Sequence, residues 1–208
     1  MKGFKKYFVL KINEAYPGLE ESIMTGTEEN FKFISKDTAF ARRSGNPLDK
    51  RLDFCAYFLS LIKTLDAKGE SFENIRKVCL DITIAMVTPK SKIKVFLNQI
   101  FPKIINTWLG QKIISQLQKK VRSNKNPGGF VADIITDKEQ TFGLGYGVDI
   151  LECGICKLFK QYGSFQYAAI LCEVDEITSR FAGLELIRNG TIANGAKKCD
   201  FRYRRLKE

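Results

Sequence analysis

The chain has 208 residues, 44% of them hydrophobic, with 34 Lys and Arg against 23 Asp and Glu. That is enough apolar content for one sizeable core, or two small ones packed together, and too much for a disordered chain. The net charge of +11 leaves a polyanion, a membrane surface or a small anionic substrate open, but the absence of any histidine excludes Ser-His-Asp triads, Cys-His dyads and every His-ligated metal or haem site.

The first ten residues are basic and then briefly apolar, and Lys11, Asn13 and Glu14 interrupt the run too soon for a secretory signal. No stretch approaches the roughly 18 to 20 apolar residues that span a bilayer. The expectation is a cytoplasmic protein whose six cysteines are reduced. Asn46-Pro47 reads as an N-cap followed by proline at the first helical position, opening a helix that turns Leu52, Cys55, Phe58, Leu59 and Ile62 to one side and stops at Gly69. Ser71 caps the next helix, in which Ile75, Val78, Cys79 and Ile82 keep three-and-four spacing before Pro89 ends it.

Between Asp81 and Asp133 there is no acidic residue, while nine Lys or Arg lie there. An apolar stripe from Ile93 through Trp108, Leu109 and Ile113 to Leu117, divided by Pro102, runs through the same segment. It reads as a core-packed helix pair with a solvated Lys face; weak association of 90–125 with a membrane surface is the alternative. Nucleic acid is not expected, since the segment lacks the exposed Tyr and Arg of a stacking surface.

Ser123–Gly129 is the clearest loop and separates a mostly helical half, 1–122, from an α+β module, 130–208, the two packed as one structural unit. In the module, Phe130–Ile135 and Thr141–Tyr146 read as a hairpin around Asp137-Lys138-Glu139, and helices follow at 149–161 and 166–181, stopped by Gly163 and Gly183. Leu184–Thr191 and Lys198–Arg204 then read as strands joined by a type I′ turn at Asn194-Gly195. The fold class is α+β, with an antiparallel sheet in the order strand-strand-helix-helix-strand-strand. Glycines 143, 145 and 147 only half-match a dinucleotide fingerprint.

Four of the six cysteines, Cys153, Cys156, Cys172 and Cys199, fall in the last third. Three readings compete: buried apolar thiols, a thiol-based catalytic site with a carboxylate moving protons, or a zinc site built from Cys153, Cys172, Glu173 and Cys199.

Glu152-Cys153-Gly154-Ile155-Cys156, Cys172-Glu173-Val174-Asp175, Arg188-Asn189-Gly190-Thr191, Gly195 and Cys199-Asp200-Phe201 follow one another in order. This series resembles the C-terminal signature of the L-2-amino-thiazoline-4-carboxylic acid hydrolase-like family. The resemblance implies a bacterial-type metabolic enzyme that hydrolytically opens a small carboxylate-bearing cyclic isothiourea. Water, or a thiolate first, attacks the amidine carbon, and the leaving thiol, with a pKa near ~8.5, needs little acid help. The resemblance then assigns Asp175, with Asp200 as second choice, to proton handling, and Cys172 to the thiol role ahead of Cys153 and Cys199. Arg188 goes to the substrate carboxylate, with Thr191 and Cys199 beside it, and no cofactor is required. A non-catalytic small-molecule or zinc-binding sensor module is the alternative.

Overall fold

The computed structural model describes residues 3–88 and 103–206. Its helical half is organised by one helix. Arg51–Ala67, here α3, follows α1 (Lys5–Ala15) and α2 (Glu20–Asp37) and precedes α4 (Phe72–Val87). The α3 sequence is apolar nearly all round, and such a helix is stable only when neighbours cover it on every side; Leu52, Cys55 to Ile62 and Leu65 are all buried. Its two interior hydroxyl residues fit because Ser60 and Thr64 donate to carbonyls one turn back, at 2.7 and 3.0 Å. Phe8 and Phe58 pack around Tyr57 and Phe54 with ring centroids 4.8 Å apart.

Ser71 caps α4 as expected, its Oγ accepting the Asn74 N–H at 3.2 Å. Asn46 does not cap α3. Its Oδ1 accepts the Leu48 N–H at 3.1 Å inside a turn, and the helix opens later, at Arg51. Only part of the basic segment is described: α5 covers Trp108–Ser123, and the expectations for 90–102 lie outside the described residues. Of the described part of the stripe, Ile105 and Ile114 are buried and Leu117 packs against the core, whereas Trp108, Leu109 and Ile113 face outward, so the stripe is packed only in part. Among the described residues no helix is long and apolar enough to cross a membrane.

The second half contains β1 (Val131–Ile135), β2 (Gly147–Glu152), α6 (Gly154–Gln161), α7 (Ala168–Phe181), β3 (Leu184–Ile187) and β4 (Cys199–Arg205). This is the expected α+β order. The strands lie β1-β2-β4-β3, all antiparallel, and β2 pairs with β4 from the far side of the two helices. Register places Ala132, Ile134, Val148, Ile150, Cys199 and Phe201 on one buried face. On the other face Asp149 accepts from Lys198 and Arg202 at 2.5 and 2.8 Å. Burial opposes the Asp149 charge, and those two cations overcome it and hold its pKa below the usual carboxylate range.

Two expected elements shift. Thr141–Tyr146 is a run of turns rather than a strand, because Phe142, Gly143 and Gly145 have φ of 51°, 79° and 67°, a left-handed region closed to extended chain. The strand instead spans Gly147–Glu152 and so runs into the stretch read as helix from 149. The Asn194-Gly195 link is not type I′, which needs positive φ at both residues: only Gly195 has it, at the end of a 3-10 turn, Ile192–Asn194.

The interhalf loop is stitched to the helical half by Asp49. Its carboxylate accepts the Phe130 N–H at 2.9 Å and the Asn126 amide at 2.7 Å, and Asn46 donates to the Phe130 carbonyl at 3.1 Å. Buried side chains of both halves form one hydrophobic cluster.

Candidate active site

Three layers meet over the buried face of the sheet: the N-terminal turn of α3, the middle of α7, and strands β2 and β4. Between them lies a cleft of about 410 Å³, walled by Leu48 and Phe54, by Val174, Thr178 and Ser179, and by Tyr146 and Tyr203. That volume is in the range of small-molecule sites. At its floor Arg51 of α3 pairs with Asp175 of α7. The same two side chains also line a second, enclosed cavity of about 20 Å³, whose wall includes Cys153, Cys156, Cys172 and Cys199. A space of that size holds roughly one water. The ion pair therefore stands between an open cleft and a thiol-lined chamber. Asp175 keeps the Arg51 pKa above its ordinary value, and Tyr146 and Tyr203 stack beside the pair at 5.6 Å, their phenols pushed up by burial.

The four thiols are not equivalent. Cys153 has extended backbone (φ −97°, ψ 113°) and is the N-cap of α6; its sulfur accepts the Cys156 N–H at 3.5 Å. A sulfur at a helix N-terminus faces unsatisfied N–H groups and the positive end of the helix dipole, which favour thiolate. Donation from the Cys156 thiol and from the backbone N–H groups of Cys156 and Ile155 overcomes burial and lowers the Cys153 pKa to about 7, while the Cys156 pKa rises. Gly154 lets the interhalf loop and α3 pack closely on the start of α6: a Cβ there would stand 3.1 Å from the Gly128 carbonyl and 3.2 Å from Leu52. Cys172 is pushed up to about 12 by burial and the Asp175 charge, despite Arg188 nearby and a hydrogen bond from Thr191. Burial also raises Cys199, whose sulfur accepts the Ile192 N–H at 3.2 Å.

Of the residues singled out in the sequence, Cys153, Cys172, Asp175 and Cys199 share the enclosed cavity. Thr191 touches Cys172 and caps the turn before β4. The others turn elsewhere. Asp200 accepts the N–H groups of Asn189 and Gly190 at 2.9 and 3.1 Å and clamps that turn. Those donors, working against burial, keep its pKa low. Glu173 pairs with Arg76 on α4. Among the described residues, no three Cys, Asp or Glu side chains are grouped to hold a metal ion. Arg188 donates to the Cys172 carbonyl at 3.0 Å and to Glu176 at 2.7 Å, and it lies over the Phe201 ring, outside the residues that wall the cleft. Its buried Nη1 has no partner.

Sequence reading missed Arg51, Tyr146 and Tyr203. Arg51 sits in the first turn of its helix, 124 positions from the aspartate it pairs with, and nothing local marks it. The two tyrosines face each other because β2 and β4 are neighbours, which the misplaced second strand obscured.

Fold and site together define a class: an α+β protein with a small-molecule cleft floored by a guanidinium–carboxylate pair and backed by thiols. The family model for L-2-amino-thiazoline-4-carboxylic acid hydrolase matches residues 98–203, and the chain belongs to that family. No curated protein and no solved structure matches the chain.

Proposed function

We propose that the protein is a hydrolase for a small cyclic amidine bearing a carboxylate, of the 2-aminothiazoline-4-carboxylate type, and that the Arg51–Asp175 pair is its recognition element. The observation that carries this reading is that one ion pair lines both the cleft and the thiol cavity. A protonated aminothiazoline carboxylate carries the same two charges, so it can exchange with the pair. Its carboxylate takes the Arg51 fork, and its amidinium takes Asp175. In this reading Arg51 takes the carboxylate role in place of Arg188, because Arg51 lines the cleft and Arg188 does not.

Hydrogen bonding to Asp175 keeps the ring protonated and its C2 electrophilic. The Cys153 thiolate, the one sulfur set up for thiolate at neutral pH, adds to C2. The C2–S bond of the ring breaks, and its sulfur leaves as a thiolate, which takes up the second water proton when the urea forms. The enzyme then holds C2 as an isothiouronium on Cys153. Water, losing a proton to Asp175, attacks that carbon and expels the Cys153 thiolate, giving a ureido acid with a free thiol. Substrate and one water account for every atom of the product.

Turnover of 2-aminothiazoline-4-carboxylate, followed by release of the new thiol, tests the assignment. Asp175→Asn and Cys153→Ser are each expected to lower kcat by roughly 10²- to 10⁴-fold. Undiminished turnover in either variant removes that residue from the chemistry, and no turnover by the native chain overturns the substrate class.

A further inference from the structure

The hydrolytic scheme uses one cysteine of Cys153-Gly154-Ile155-Cys156 and leaves its partner without a role. The motif follows strand β2 and opens helix α6. In a continuous helix, residues i and i+3 lie one above the other along the axis. Here the backbone at Cys153 is extended and becomes helical only from Gly154, which turns the two side chains toward each other. The Cys156 thiol hydrogen-bonds the Cys153 sulfur, and the Cys156 N–H reaches the same atom at 3.5 Å. A disulfide sets its two sulfurs at ~2.05 Å, and this contact already brings the pair side by side. The pair is also asymmetric: Cys153 is half-buried, whereas Cys156 lies behind it, buried.

We infer that Cys153 and Cys156 form a thiol–disulfide exchange site whose oxidant is a low-molecular-weight disulfide. The half-buried Cys153 thiolate attacks one sulfur of that disulfide, releasing one thiolate and leaving a mixed disulfide. Cys156 then attacks the Cys153 sulfur, and its proton passes to the second departing thiolate. The two protein thiols lose two electrons and the small disulfide gains them. The contrast in acidity runs the required way, with the outer sulfur at about 7 and the inner one raised. The inference rests on the pair geometry and stands apart from the hydrolytic reading. Where both hold, oxidation ties up the nucleophile, and turnover stops until the pair is reduced.

The test uses the full chain, reduced, then exposed to oxidised glutathione at neutral pH, capped with N-ethylmaleimide and cut with trypsin. Both cysteines fall in one peptide, 139–157. The expected product is that peptide two hydrogens lighter and unlabelled, restored by dithiothreitol. Cys156→Ser is expected to trap glutathione on Cys153, and Cys156→Ala does the same if the serine variant fails to fold. A stable glutathione adduct in the native chain with Cys156 alkylated, a bond from Cys153 to Cys172 or Cys199, or an unoxidised peptide would each overturn the inference. Loss of the hydrolase reading changes none of these masses.

Discussion

Cys153 of the sheet module and the two cysteines of the helical half are in opposite states. Cys79 lies in the middle of α4, where burial alone pushes its thiol up, and Cys55 in α3 is pushed up to about 12, chiefly by burial and against the Arg51 charge. Cys153, half-buried and likewise opposed by burial, sits where a strand ends and a helix begins, and its pKa falls to about 7. Burial is common to all three, so it does not decide which thiol reacts. What sets Cys153 apart is the number of donors on its sulfur, the Cys156 thiol first and then the N–H groups of Cys156 and Ile155; mid-helix, such N–H groups are already bonded to carbonyls.

The largest expected consequence of that contrast is kinetic. At pH 7 about half of Cys153 is thiolate, against a minute fraction of Cys55. Even after allowing for the greater nucleophilicity of a more basic thiolate, iodoacetamide should label Cys153 about 10³-fold faster in the folded protein. The sign with pH is fixed: as pH rises from 6 to 8 the Cys153 rate climbs through a midpoint near 7 and levels off, while Cys55 stays unreactive. Equal labelling of Cys153 and Cys55 would erase the distinction.

A smaller effect is expected where the halves join. Arg51→Met leaves the buried Asp175 carboxylate without its cation. A fully buried pair broken in this way costs about 3–5 kcal/mol, and the partly exposed Arg51 brings the expectation to about 2 kcal/mol, read by denaturant unfolding. The smallest effect is confined to the helical half. Ser71→Ala removes the α4 cap and should lower stability by about 1 kcal/mol, with the labelling rate of Cys153 unchanged; a shift in that rate would couple the two regions more tightly than described.

How much of this was legible in the sequence follows the range over which each signal acts. The Ser71 cap, the stops at Gly69, Gly163 and Gly183, and the order of elements in the module are local and read directly. Cys172 and Asp175 share a helix face, so their common cavity was also within reach. The β2 boundary was not, because Asp149 to Glu152 carries no alternation: Gly147 to Ile150 are all buried, including an aspartate that pairs with Lys198, just before β4, and Arg202, within it, about 50 residues away. Arg51 was invisible for the same reason. Its meaning depends on a partner that only the folded chain supplies.

The Arg51–Asp175 pair also bears on what can be inherited within the family. The matched region begins at residue 98 and so contains the aspartate, the thiols and the sheet, but not the helix that provides the arginine. The acid thus lies inside the matched region and its counter-charge outside it. A relative that keeps the C-terminal signature but changes the first turn of its α3 would present the same aspartate and cysteines to a ligand of different charge. Specificity in such proteins can drift through residues that the signature does not contain.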